Sequence, residues 1–140
     1  MSATKITLND LGLPEGMPLR REYEVTPREV AEKLVQDPKS VLVIDVRTQP
    51  EWDLVRIEGS VHIPLDEIER RFDEIEPAPG QLVTTICHHG VRSLKASLAL
   101  RQLGIAQAMS IAGGIDVWSM AVDPSLPRYD RQGGRCTIIP

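Results

Sequence analysis

Leu82-Val83-Thr84-Thr85-Ile86-Cys87-His88-His89-Gly90-Val91-Arg92-Ser93 is the stretch on which the reading of this chain turns. Its first five residues are apolar or β-branched and lack the polar alternation of a sheet face open to water. Such a run suits a strand covered on both faces, as in a parallel sheet. Ser93 to Leu103 reads as a helix that Gly104 stops. A strand therefore passes into a helix through a tight loop that begins at Cys87. In layered α/β sheets, ligands sit at the carboxyl ends of strands.

Working outward, the same alternation repeats. Val41-Leu42-Val43-Ile44 is a second covered strand, and it stops at Asp45-Val46-Arg47. Before it, Thr26-Pro27-Arg28-Glu29 is a capping box with proline at the first helical position, and the helix should carry Val30, Leu34 and Val35 on one side and end before Pro38. After it, Thr48-Gln49-Pro50-Glu51 opens a short helix through Trp52, and Gly59 releases a brief strand from Ser60 to Ile63. Asp66 to about Ile75 is expected to be one amphipathic helix, with Leu65, Ile68, Phe72 and Ile75 on its apolar side. Ala108 to Ile111 gives the last strand, followed by Gly113-Gly114 and a short helix holding Trp118. The fold class is α/β, with a mostly parallel sheet. Residues 1–22 read as a leader broken by Gly12, Pro14, Gly16 and Pro18, residues 23–129 as the folded domain, and 130–140 as a C-terminal tail.

The loop at Cys87 has the makings of an anion nest. A tight strand-to-helix turn aims backbone N–H groups inward, and the helix N-terminus adds partial positive charge on that side. Gly90 relaxes the backbone and Arg92 adds a permanent cation. Such surroundings favour a thiolate at Cys87 and would equally hold the terminal sulfur of a persulfide or the oxyanion of a donor such as thiosulfate. A buried, inert cysteine is the plain alternative, but glycine, arginine and a helix start within six residues weigh against it.

Composition narrows the field. With 140 residues, 41% hydrophobic and 26% charged, the chain has the balance of one globular domain. A formal net charge of −4 argues against a nucleic-acid partner. No apolar run approaches the ~20 residues of a membrane span, and the start MSATKITLND has no apolar core of a secretory signal. The expectation is a cytoplasmic protein with no membrane partner. Its two cysteines, Cys87 and Cys136, are then free thiols, too few for a cysteine-only zinc site.

Cys87-His88-His89-Gly90-Val91-Arg92-Ser93 resembles the active-site loop C-x-x-G-x-R-[ST] of rhodanese-like domains, and three further segments agree. Asp45-Val46-Arg47 with Glu51-Trp52 resembles the family's D-V-R-x-x-x-E-[FWY] segment. Ile57-Glu58-Gly59-Ser60-Val61-His62-Ile63-Pro64 resembles its I-x-G-[AS]-x-[NH]-I-P, and Gly113-Gly114-Ile115-Asp116-Val117-Trp118 its G-G-x-x-x-W. The four occur in family order across residues 25 to 129. The resemblance implies a single domain with a central, mainly parallel five-stranded sheet and helices on both faces. It implies a sulfurtransferase in which Cys87 takes a sulfane sulfur from thiosulfate or a persulfide and passes it to a thiol, cyanide or a sulfur-carrier protein. No cofactor is expected, and no metal, because adjacent histidines rarely converge with Cys87 on one ion in a tight loop. The stretch Gly113 to Tyr129 is similar to rhodanese domains fused to activating enzymes of ubiquitin-like proteins. Val55-Arg56-Ile57 departs from the common G-H-I, and the loop has no lysine.

Cys87 and Arg92 are the candidate catalytic residues, and His88, His89, Gly90, Val91 and Ser93 the candidate substrate-binding residues. Asp45 and Arg47 are expected to support the loop from behind, Arg47 through an ion pair with Glu51. His88 and His89 are either proton donors to the leaving group or solvent-facing filler. Trp52 and Trp118 read as packing residues, His62 as a hydrogen-bonded structural histidine, and Cys136 as exposed and dispensable. Two other functions compete: a non-enzymatic binding or sulfide-sensing module, and a cysteine phosphatase or arsenate reductase. Cysteine phosphatases use the longer C-x5-R loop; here four residues separate Cys87 from Arg92.

Overall fold

A computed structural model describes residues 5–140. In chain order it contains β1 (Glu24–Val25), α1 (Pro27–Gln36), β2 (Val41–Asp45), α2 (Gln49–Leu54), β3 (Val61–His62), α3 (Ile68–Arg71), β4 (Leu82–Ile86), α4 (Val91–Gln102), β5 (Met109–Ile111), α5 (Gly114–Ala121), β6 (Tyr129–Gln132) and β7 (Arg135–Ile138). Strands β1 to β5 form one five-stranded sheet in the order β1-β5-β4-β2-β3, every pairing parallel. β6 and β7 pair with each other as an antiparallel hairpin.

Alternation along the central strands divides the core in two, because successive side chains of a strand face opposite ways. Val41, Val43 and Ile86 join Val30 of α1 and Trp118 of α5 on one face of the sheet. Ile44 and Val83 join Ile68 of α3 and Ala96 and Leu100 of α4 on the other. Both faces are covered, which is why β2 and β4 are apolar without interruption.

Helix α1 is capped as read: Thr26 Oγ1 accepts from the Glu29 N–H at 3.2 Å while the Glu29 carboxylate accepts from the Thr26 N–H at 2.8 Å. Val35, expected on the apolar side, is instead 85% exposed, whereas Val30 is buried. At about 100° per residue, Leu34 returns to the Val30 side and Val35 overshoots it. The stretch expected as one helix from Asp66 to Ile75 divides into a 3-10 turn (Leu65–Glu67), the single turn α3, and a second 3-10 turn (Phe72–Glu74). Ile68 and Ile75 are its buried anchors, and docking these two points overrides uniform pitch in a segment too short to hold a helix by propagation alone.

The expected leader is tied down where it is described. Leu13 is buried against Ala112 and Val117, and Asn9 Oδ1 accepts from the N–H groups of Leu11 and Leu13. Residues 1–4 of that leader lie outside the described residues. At the other end, the expected tail is the β6–β7 hairpin, with Cys136 half-buried opposite Arg131 rather than exposed. No helix of the described residues is long and apolar enough to cross a membrane.

Candidate active site

After β2 the chain crosses to β3 on one side; after β4 it crosses to β5 on the other. The carboxyl ends of β2 and β4 therefore bound a crevice, the position at which doubly wound sheets bind ligands. Asp45-Val46-Arg47 leaves one strand end and Cys87 the other, and Asp45 lies in register with Ile86.

Helix α4 begins at Val91, two residues before the expected Ser93, because Gly90 takes a left-handed backbone (φ 105°) and turns the chain straight from loop to helix. The Gly90 N–H donates to Cys87 Sγ at 3.0 Å. The Cys87 thiol donates to Ser93 Oγ at 3.4 Å, and that hydroxyl lies 2.7 Å from Ser110 Oγ on β5. A hydroxyl can rotate to donate instead of accept, so this pair of serines can serve the thiol or an anionic sulfur. The carbonyls of Cys87 and His88 accept from the N–H groups of Ile115 and Asp116 in the first turn of α5 at 2.8 and 3.2 Å. In trans peptides the N–H points opposite to the C=O, so this contact turns the loop amides away from α5. Gly114 permits it: a Cβ there would lie 2.4 Å from both loop carbonyl oxygens.

Glu51 is the electrostatic hub. Its fully buried carboxylate receives Arg92 Nη1 and Nη2 at 2.7 and 3.0 Å, Arg131 Nη1 at 3.0 Å, the Tyr129 hydroxyl at 2.5 Å and Thr48 Oγ1 at 2.9 Å. Burial alone would raise its pKa, but the Arg92 and Tyr129 hydrogen bonds overcome it and hold Glu51 well below the usual carboxylate range. Burial and the Glu51 contact push the Tyr129 hydroxyl upward, so it stays neutral. Arg47 is not a surface partner of the Glu51 carboxylate, as expected from sequence, but a buried partner of Asp45, with Nη2–Oδ2 at 2.7 Å. It also donates to the carbonyls of Val55 (2.6 Å) and Glu51 (3.3 Å) and to the Tyr129 hydroxyl (3.2 Å). Five donors in a fixed fork allow one guanidinium to brace the α2 turn and the strand end together.

His88 is buried, with Nε2 2.9 Å from the Tyr129 carbonyl and its ring stacked on the Tyr129 ring at 3.9 Å. Facing a carbonyl, Nε2 carries the proton. Burial and the neighbouring His89 push His88 down to about 4, so it is neutral near pH 7 and is not a proton donor there. His89 is open to solvent, with Nδ1 3.8 Å from Asp116 Oδ2. The Cys87 residue is only 1% exposed, yet it opens onto a pocket of about 390 Å³ lined by Val91, Arg92 and the two histidines, and closed by Asp130 and Arg131 of β6. Among the described residues no group of three or more His, Cys, Asp or Glu side chains is placed to hold a metal ion.

The structure thus gathers Cys87, His88, His89, Val91 and Arg92 at one pocket, sets Gly90 and Ser93 on the sulfur, and keeps Asp45 and Arg47 behind it. Sequence reading missed Ser110, Tyr129 and Arg131, and took Glu51 as a helix-start residue and a partner of Arg47, not of Arg92. None carries a local signal: each meets the loop from an element distant along the chain.

The chain matches the Rhodanese-like domain family over residues 26–121. It belongs to that family. Its curated relatives include the adenylyltransferase and sulfurtransferase MOCS3-1 of Zea mays, 30% identical over 91% of this chain and 28% of that protein. The probable adenylyltransferase/sulfurtransferase MoeZ of Mycobacterium tuberculosis is 33% identical over 75% of this chain and 26% of that protein. This rhodanese-like chain spans little more than a quarter of the length of these relatives. Among solved structures, the rhodanese-like domain protein from Staphylococcus aureus superposes with a TM-score of 0.64 at 30% identity, covering 74% of this chain and 95% of that one. The human single-domain sulfurtransferase TSTD1 gives 0.57 at 27% identity, over 68% and 93%. The five-stranded parallel sheet with helices on both faces is the arrangement expected from sequence.

Proposed function

We propose that this rhodanese-like domain is a sulfurtransferase that carries sulfane sulfur as a persulfide on Cys87. The observation that carries the reading is Cys87 Sγ at the floor of a pocket, with the Gly90 N–H on it at 3.0 Å and the Ser93 hydroxyl at 3.4 Å. A positioned thiol that accepts from one backbone amide and meets a hydroxyl able to donate to it once ionised, with a shaped space above it, suits nucleophilic chemistry on sulfur.

In the first half-reaction the Cys87 thiolate, having given its proton to solvent, attacks the outer sulfur of thiosulfate. The new S–S bond forms at Sγ, the donor's S–S bond breaks, and its electron pair leaves on sulfite; a persulfide donor releases a thiolate instead. In the second, an acceptor nucleophile (cyanide, a thiol or a carrier-protein terminus) attacks the terminal sulfur and returns Cys87 as thiolate. The Gly90 amide, the Ser93 hydroxyl and the amino end of α4 stabilise the charge on each sulfur anion, with Arg92 as the nearby fixed cation. Relatives named as sulfurtransferases support this chemistry. Both cysteines are free thiols, which suits a reducing compartment, and we place the protein in the cytoplasm.

The test is thiosulfate:cyanide transfer read as thiocyanate, with mass spectrometry of the loaded protein. Wild type should turn over and gain about 32 Da, one sulfur on the thiolate. Cys87→Ser should do neither, whereas Cys136→Ser should keep most of both. Turnover retained in Cys87→Ser would end the assignment.

A further inference from the structure

The family match ends at residue 121, yet the wall that closes the Cys87 pocket comes from β6, at residues 130 and 131. Tyr129 fixes that wall. It is buried, its carbonyl accepts from His88 at 2.9 Å, and its hydroxyl lies within hydrogen-bond reach of Glu51 and Arg47. Residues i and i+2 of a strand share a face, so Tyr129 aims Arg131 at the same side of the hairpin.

Arg131 and Arg92 converge on one oxygen, Glu51 Oε1, at 3.0 and 2.7 Å. They are engaged differently. Arg92 gives both terminal nitrogens to Glu51, while Arg131 gives only Nη1 among the described residues, and its side chain is 37% exposed against 20% for Arg92. One carboxylate therefore faces two guanidiniums, and Tyr129 adds no charge. Of the other nearby carboxylates, Asp116 is bound by Arg128 at 2.8 Å, and Asp130 lines the Cys87 pocket beside Arg131. Arg131 also lines the adjoining cleft of about 620 Å³, beside Thr48, Pro64 and Leu65. It stands on the ridge between the two spaces.

We propose that Arg131 recognises the anionic end of the small sulfur donor and so sets donor specificity at Cys87. The inference rests on the sulfur-transfer reading. When the outer sulfur of an oxyanionic donor meets Sγ, the oxyanion lies one bond further out, toward the mouth of the pocket. The Gly90 amide serves the inner sulfur; the loop itself has no lysine for the outer charge. The hairpin supplies that cation, with donor nitrogens available for a charge-assisted contact.

Two measurements with thiosulfate decide it. In steady-state transfer to cyanide, Arg131→Gln should raise the KM for thiosulfate roughly tenfold with kcat within about twofold, since one contact common to ground and transition state is lost; Arg131→Lys should recover most of the loss. In nuclear magnetic resonance titrations, which need no turnover, thiosulfate should bind the Cys87→Ser variant about tenfold more tightly than Cys87→Ser/Arg131→Gln. Equal thiosulfate affinity of the two Cys87→Ser proteins, or a kcat loss with unchanged KM, would overturn the role of Arg131. A wild-type protein that binds thiosulfate but forms neither persulfide nor thiocyanate would overturn the sulfur-transfer reading instead.

Discussion

Arg92 grips Glu51 through two parallel hydrogen bonds, Nη1–Oε1 at 2.7 Å and Nη2–Oε2 at 3.0 Å, and so pins the first turn of α4 to the first turn of α2. The same carboxylate takes Arg131 and Tyr129 from the C-terminal hairpin. Three segments far apart in the chain are thus held at one buried charge, and the cysteine loop is set by what surrounds that charge.

Glu51→Gln should destabilise the fold by about 3 kcal/mol, because removing one partner of a buried ion pair strands the others. The wild-type pH profile should carry the same signature. Glu51 titrates below its ordinary 4.5 in the folded chain, so its contribution is complete above that value and is lost as pH falls below it. Urea unfolding between pH 7 and pH 3 checks both statements: the acid-side slope should be shallower in Glu51→Gln.

His88 makes a second, separable contribution to acid sensitivity. Its pKa falls from 6.5 to about 4 on folding, so between those values the unfolded chain binds the proton that the folded chain refuses. Stability is then complete above pH 6.5 and falls as pH drops toward 4. His88→Gln, which cannot titrate, should flatten the profile in that window, and an unchanged slope between pH 6.5 and 5 would place the sensitivity elsewhere.

Gly114→Ala should be far worse than Gly16→Ala, although both glycines have positive φ. At Gly16 a methyl group meets open space, so only backbone strain of about 1 kcal/mol applies. At Gly114 it would strike the carbonyl oxygens of Cys87 and His88 at 2.4 Å. Thermal unfolding should show a loss of about 3 kcal/mol or more for Gly114→Ala, and the rate of Cys87 alkylation should change as the loop is displaced.

Ser93→Ala should slow sulfur transfer about tenfold, the equivalent of one lost hydrogen bond to a charged group. It also leaves the buried Ser110 hydroxyl without its 2.7 Å partner, so Ser93→Ala/Ser110→Ala should recover stability without recovering rate. Thiocyanate kinetics and urea unfolding on the single and double variants separate the two effects.

Much of the framework is legible from residues alone. The uninterrupted apolar runs at Val41 and Leu82 announce strands covered on both faces, and the Thr26–Glu29 box starts α1 where it is read. Side-chain capping depends on near neighbours, and a strand covered on both faces, although distant helices cover it, must be apolar at consecutive positions, so both leave a local imprint. Cys87 stands out for the same reason, being spaced from Gly90 and Arg92 along a single turn.

Long-range geometry decided the rest. Arg47 belongs to Asp45 and not to the Glu51 carboxylate, which in the folded chain is taken by Arg92, Arg131 and Tyr129. The β6–β7 hairpin looks like a polar tail in sequence because it has little apolar pattern of its own. It is anchored by the buried Tyr129 ring, by the Tyr129 hydroxyl bond to Glu51 across 78 residues and by the Arg131–Glu51 ion pair across 80. Ion pairs and hydrogen bonds are short in space but indifferent to chain separation. They leave no periodicity to read, and only the folded chain shows which charges meet.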